Sequence, residues 1–204
     1  MSSFLVADEL SYLDPNSASQ SILEKMQRFC LPKWLQYAKN QLYKGCFSEA
    51  RESLGRLFKK SEEVGCETTV KNEALGVLAA VFASEGNWRK TEETLEQMET
   101  IALTGRYACE AMHMLARANL NNNSFQNALH WGSQAHYWRM QLLSSTKEPD
   151  SSNQPKLSHE LSENELLYYL SSNLMKEIFE KQGDPASAVP FKVDLPPDFY
   201  GNCI

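Results

Sequence analysis

From Leu31 to about Leu143, apolar residues recur every three or four positions, and no alternating β-rich run interrupts them. That spacing gathers them on one face of α-helices. The periodic stretches break at Gly45, near Gly65, at Gly86, near Gly105 and at Asn121 to Ser124. Breaks so placed predict helices of ordinary length joined by short turns, with chain neighbours running antiparallel. Upstream, Asn16 or Ser17 can cap a helix that carries Ile22, Met26, Phe29 and Cys30 on one face. Pro32 then suits the first turn of the next helix, where a missing N–H does no harm. Downstream, Ser144 to about Ser158 is polar, contains Ser and Pro, and has no apolar period, which predicts a flexible insertion. A helix restarts beyond it. Ser162 and Glu165 have the N-cap and N3 spacing of a capping box, and Gly183 closes the helix. Pro185, Pro190, Pro196 and Pro197 rule out a long final helix.

The breaks share a register. Gly45, Gly86 and Asn123 are each followed two positions later by an aromatic residue (Phe47, Trp88, Phe125). Three positions after that stands a small one (Ala50, Thr91, Ala128). Seven before each turn residue is an alanine (Ala38, Ala79, Ala116), and eleven before is a large apolar residue (Trp34, Leu75, Met112). Nine after come Leu54, Leu95 and Gly132, and twelve after come Leu57, Met98 and Ala135. Asn replaces Gly where a left-handed turn is needed. Each unit is therefore a helical hairpin whose helices approach at small residues, because a larger side chain there would push them apart. One hairpin cannot bury both of its faces, so the units must stack. A weaker fourth copy starts at Ser172, with Gly183 as turn and Ala188 as small residue, and Pro190 stops its second helix.

This pattern resembles the tetratricopeptide repeat family. The first copy meets its scheme at Trp34, Ala38, Gly45, Phe47, Ala50 and Leu54. The second meets it at Leu75, Leu78, Ala79, Phe82, Gly86, Trp88 and Leu95, and the third at Met112, Leu115, Ala116, Phe125 and Ala128. The resemblance covers about Leu31 to Leu143. Three features depart from it. Glu62, Leu103 and Met140 stand where each unit should end in proline, and only Phe82 supplies the aromatic late in the first helix. The turns lie 41 and then 37 residues apart, against about 34 in the family.

The resemblance implies an all-α fold: a right-handed solenoid of antiparallel helical hairpins, about three repeats with a C-terminal capping helix. The expected organisation is an irregular segment at 1–16, a repeat domain at 17–143, a flexible polar insertion at 144–158, a capping helix at 159–183 and a Pro-rich extended tail at 184–204. It also implies a concave groove for a partner peptide or helix. Leu35, Lys39 and Tyr43 would line it from the first copy, Gly76, Val77 and Ala80 from the second, and Glu110, His113, Met114 and Arg117 from the third. Gly76 and Ala80 would form a small-residue floor that admits a partner backbone; alternatively they only pack against the next hairpin. Chaperone-binding relatives clamp a terminal carboxylate at positions held here by Leu35, Lys39, Val77, Glu110 and Met114. With one cation among them and Glu110 repelling the ligand, chaperone C-terminal tails are disfavoured.

Composition and charge favour protein partners, and together with the resemblance they imply an adaptor or scaffold subunit of a larger complex. The chain has 204 residues, is 42% hydrophobic and carries a net charge of −6. That charge weighs against RNA binding, the alternative for a helical-repeat protein, which rests on phosphate neutralisation by Lys and Arg. No apolar run reaches the length of a membrane span, and the first residues do not form a signal-peptide pattern. Five scattered cysteines, odd in number and without a C-x-x-C pair, fit reduced thiols in a cytoplasmic or nuclear protein better than a disulfide framework or zinc site. His130 and His136 are six apart and cannot share a metal as i, i+4 histidines do. Trp131, Ala135, Trp138 and Leu142 share one helix face and read as core. Cys109 and His113 are four apart and form the one nucleophile–base candidate, for a helical-bundle enzyme, but no third group accompanies them. No catalytic residue, metal site or cofactor is therefore assigned. In the tail, Phe191, Leu195, Phe199 and Tyr200 are apolar anchors expected to dock on the chain itself or on a partner. Serines of the insertion are candidates for phosphorylation that tunes binding.

Overall fold

A computed structural model of the chain describes residues 30–64, 67–98, 105–146 and 162–191. The helix expected around residues 17–29, most of the polar insertion, and Leu195, Phe199 and Tyr200 lie outside the described residues. The elements are α1 (residues 30–43), α2 (Phe47–Val64), α3 (Thr68–Ser84), α4 (Trp88–Glu96), α5 (Arg106–Asn121), α6 (Phe125–Thr146) and α7 (Glu163–Gln182), then a 3-10 turn at Val189–Phe191. The described residues are all-helical and include no strand. They belong to two compact units, Met1–Lys71 and Asn72–Ile204, divided after the first turn of α3.

The first helix of each hairpin ends in the same way. After α1, the Gly45 N–H donates to the Leu42 carbonyl at 3.0 Å and the Cys46 N–H to the Gln41 carbonyl at 2.9 Å. After α3, Gly86 donates to Ala83 at 3.0 Å and Asn87 to Phe82 at 2.8 Å. After α5, Asn123 donates to Leu120 at 3.1 Å and Ser124 to Asn119 at 2.9 Å. The turn residues have φ of 75°, 72° and 59°, the left-handed stop of a Schellman motif, in which the last orphan carbonyls of the helix are paired. The amide of the small residue five positions on then closes the first turn of the second helix: Ala50 to Cys46 at 3.1 Å, Thr91 to Asn87 at 3.0 Å, Ala128 to Ser124 at 2.9 Å.

In the first unit, Ala38 and Ala50 are fully buried. The Ser53 hydroxyl donates to the Trp34 carbonyl at 2.9 Å, tying α2 to α1. In the second unit, Ala79, Thr91, Ala116 and Ala128 are buried in the same way. Thr91 is tolerated there because its hydroxyl donates to the Asn87 carbonyl at 3.0 Å and leaves only a methyl to the core. Lys90 lies over the Phe82 ring, 5.3 Å from its centre, where α4 turns back along α3.

The helix α7 has its capping box: the Ser162 hydroxyl accepts from the Glu165 N–H and the Glu165 carboxylate from the Ser162 N–H. It ends at Gly183 (φ 83°) with the same turn, Gly183 donating to Glu180 at 3.2 Å and Asp184 to Phe179 at 2.9 Å. Among the described residues no full helix follows. The Asp184 carboxylate accepts from the Ser187 N–H at 3.2 Å, and Pro190 falls in the 3-10 turn. At its other end, α6 runs three residues past the expected boundary at 143.

Gly132 sets the approach of α7 to α6. A Cβ there would meet the Ile178 Cδ1 at 3.0 Å and the Met175 Sδ at 3.1 Å. Gly55, also inside a helix, has nothing within 4 Å of such a Cβ. The two glycines should respond oppositely to substitution. Gly132→Leu overfills the α6–α7 seam and should cost about 1–3 kcal/mol. Gly55→Ala should gain about 0.5–1 kcal/mol, because only the helix propensity changes. Urea unfolding of the two variants measures both, and a neutral Gly132→Leu would show that α7 is not seated against that glycine.

Candidate functional site

Of the ten residues expected in the groove, Leu35, Lys39 and Tyr43 are in the first unit and the other seven in the second. They differ in access. Leu35, Val77 and Ala80 are core residues, and Gly76 is buried with the Ala108 backbone nitrogen 3.4 Å from where its Cβ would be. Gly76 thus packs against the start of α5 and the Met98 methyl, so the packing alternative describes it and a partner could reach these four only by displacing what covers them. Lys39 and Met114 are half-buried, Glu110 and Arg117 are exposed, and Tyr43 is 94% exposed. Arg117 forms an ion pair with Glu177 of α7, which also holds Lys181 at 3.1 Å.

His113 belongs to a polar cluster among α5, α6 and α7. The Arg139 Nη1 donates to the His113 Nδ1 at 3.0 Å and to the Leu167 carbonyl at 3.1 Å. Because guanidinium can only donate, the Nδ1 must carry a lone pair and the imidazole proton sits on Nε2. Burial pushes His113 down to about 3, and the charges of Arg139 and Arg117 act in the same direction. Burial pushes the Cys109 thiol up to about 11, against the opposing pull of Arg139. A thiolate–imidazolium pair needs both shifts reversed. Cys109 and His113 are thus an un-ionised thiol and a neutral imidazole, each held in that form by its surroundings.

Arg139 is the residue that sequence reasoning passed over. It is 3% exposed, and it follows Trp131 and Ala135 on the same helical stripe, eight and four residues on. A charge on a core stripe was the available signal, hidden by the aromatic residues around it. Trp131 is buried, its indole N–H donating to the Glu92 carboxylate of α4 at 3.2 Å.

Phe191, the one described residue of the four tail anchors, packs on its own chain. Its ring stacks on Phe179 with centroids 5.7 Å apart and meets the His136 ring edge-on at 5.2 Å. His136 is fixed from its other side: Ser171 gives its hydroxyl proton to the Tyr168 carbonyl at 2.8 Å and so accepts from the His136 Nδ1 at 3.2 Å. His130 is exposed and lies edge-on to Trp131 at 4.8 Å. Among the described residues no group of three or more His, Cys, Asp or Glu is placed to hold a metal ion, and no helix is long and apolar enough to cross a membrane.

The His113 environment predicts a pH dependence. Its folded pKa is lowered to about 3, so below about 6.5 the unfolded chain binds this proton first. Stability should fall by up to about 1.4 kcal/mol per pH unit from this group as pH drops from 6.5 towards 3. His136, also lowered by burial, adds to the same slope. His113→Gln, whose amide oxygen can still accept from Arg139, should flatten part of the slope in urea unfolding at stepped pH, and equal slopes would remove the assignment. In maleimide labelling at pH 8, the half-buried Cys30 and Cys46 should react ahead of Cys109; Cys109 reacting first would restore the nucleophile reading. Compared with models of protein families and with curated proteins, the chain matches none.

Proposed function

We propose that the chain is a protein–protein interaction adaptor or scaffold subunit, built as a right-handed solenoid of tetratricopeptide-like hairpins and working in the cytoplasm or nucleus. The observation that carries this reading is the recurrent turn. The same left-handed stop, with the same two backbone hydrogen bonds, ends α1, α3, α5 and α7, and each is followed five residues on by a buried small residue, Ala50, Thr91, Ala128 or Ala188. In solenoids of this kind, stacked hairpins place their first helices side by side as a surface for a partner.

The partner in this reading is a peptide or helix, and it is held by the accessible members of the first-helix faces. Tyr43 supplies an amphipathic anchor already presented to solvent, the kind of side chain that dominates interface energetics. Lys39, Glu110 and Arg117 select the partner by charge at the rim, and Met114 offers an adaptable apolar contact.

Because Tyr43 is almost fully exposed, Tyr43→Ala separates binding from folding. Tagged full-length chain should capture a stoichiometric protein from native extract, and Tyr43→Ala should weaken that capture by about tenfold or more with unchanged thermal unfolding. A partner retained by both Tyr43→Ala and Glu110→Arg would move the site off the first-helix faces. Absence of any stoichiometric partner would remove the adaptor reading.

A further inference from the structure

Helix α6 differs from the other second helices in what it shows to solvent. From Phe125 to Thr146 its one charged residue besides histidine is Arg139, and that side chain is buried. Its counterparts α2 and α4 carry charges on every turn, among them the exposed pairs of Glu52 with Arg56 and Glu93 with Arg89. On α6, Gln126, His130, Ser133, Tyr137, Met140 and Ser144 are all exposed. They recur at intervals of four and three, which places them on one stripe of the helix. Tyr137 is 49% exposed and Met140 38%. Single exposed apolar residues are ordinary on a protein surface, but a whole helix face without charge is not. Loss of charge with Tyr and Met present is the composition of an interface core.

The polar members of the stripe can lose water at little cost. The Ser133 hydroxyl donates to the His130 carbonyl and the Ser144 hydroxyl to the Met140 carbonyl, each at 2.9 Å. Neither donor would be orphaned beneath a partner. The two rings are already propped. His130 lies edge-on to Trp131 and Tyr137 edge-on to Trp138, with centroids 4.8 Å apart in both cases. Anchors fixed before binding lose less side-chain entropy when a partner arrives.

The surface that fits this stripe is the stripe itself. When it is laid antiparallel on a second copy, about a two-fold axis level with Ala135, position 133 faces 137, 130 faces 140 and 126 faces 144. Tyr137 then lies over the small Ser133, and Met140 meets the His130 ring in a favourable sulfur–aromatic contact. Gln126 spans Ser144. A parallel pairing would instead set Tyr137 on Tyr137 and Ser133 on Ser133, crowded at one level and gapped at the other. Charge points the same way. The chain carries a net charge of −6, so two copies repel on average, but contact through this face brings no like charges together. A partner selected by charge would find nothing on it to read. We propose that the exposed face of α6 is a homodimer interface, in which two copies pair antiparallel with Tyr137 of each seated over Ser133 of the other. The strip is about 27 Å long and one helix wide. That is small for a stable interface, so the dimer should form in the micromolar range. The surface is separate from the proposed partner-binding face and does not depend on that reading.

The test is sedimentation equilibrium of the full-length chain across the micromolar range, with a reductant present to exclude disulfide dimers. The wild type should pass from monomer to dimer as concentration rises. Tyr137→Glu and Ser133→Lys should each weaken dimerisation about tenfold or more. Thermal unfolding at low concentration should be unchanged, because both positions are exposed. The register makes a sharper demand. Mixing the two variants sets the introduced ammonium of one copy opposite the introduced carboxylate of the other, while the second contact between Ser133 and Tyr137 stays native. The mixture should therefore recover a one-to-one dimer that neither variant forms alone. Met140→Lys, on the same stripe, replaces Tyr137→Glu in the loss-of-dimer arm should the latter unsettle α6. A wild type that stays monomeric throughout the range would overturn the proposal, as would a dimer that survives both substitutions. A mixture that remains monomeric would overturn the antiparallel pairing.

Discussion

The structure depends on how closely two helices of a hairpin can approach. That distance is set where a left-handed residue stops the first helix and a small residue begins the second. The left-handed conformation is strained for most side chains and free for Gly, which accounts for Gly45, Gly86 and Gly183. Asn123 manages it as the commonest substitute. Once the chain reverses, the positions five after and seven before the turn residue are buried and hold small residues. Ala38 with Ala50, Ala79 with Thr91 and Ala116 with Ala128 occupy them, all fully buried. Larger residues around these pairs fill the hairpin, with Leu54, Leu57 and Leu95 almost entirely enclosed.

Much of this was legible in the sequence because it is governed by local rules with fixed offsets. The turn residue, the small pair and the capping box each constrain residue types within a few positions, so Gly45, Ala50, Ser162 and Glu165 could be read without coordinates. What could not be read was which side of a first helix faces solvent. Leu35, Gly76 and His113 stand at one repeat position, ten before their turns, yet they are respectively core, packed against Ala108 and bound to Arg139. The identity of a neighbouring helix decides such a residue's role, and periodicity along one helix carries no information about that neighbour.

Comparing equivalent positions also shows where the third hairpin differs. Nine after the turn, the first two copies have Leu54 and Leu95 and the third has Gly132. The volume lost is supplied by Met175 and Ile178 reaching across from α7. A capping helix therefore replaces a side chain of the hairpin it covers, which makes α6 and α7 a single packing unit rather than a repeat with an appendage. Arg106 with Glu163 and Arg117 with Glu177 join α5 to α7 at its two ends, but such exposed pairs add at most about 1 kcal/mol each. The apolar seam at Gly132 does most of the holding.

The same comparison bears on Arg139. Sixteen after the turn, the first hairpin has Ser61, a small residue whose hydroxyl is satisfied by the Phe58 carbonyl of its own helix at 2.7 Å, and the second has Ala102. The first hairpin thus closes with a small residue at this position, and helix packing there does not call for a guanidinium. A methionine-sized apolar side chain would fill comparable volume without bringing a charge into the core, and replacements of that kind in buried ionic sites are often neutral or stabilising. The folding energetics alone thus give no account of why Arg139 and a neutral His113 come together. The neutral form of His113 is what makes the arrangement possible, because an imidazolium could not accept from the Arg139 guanidinium.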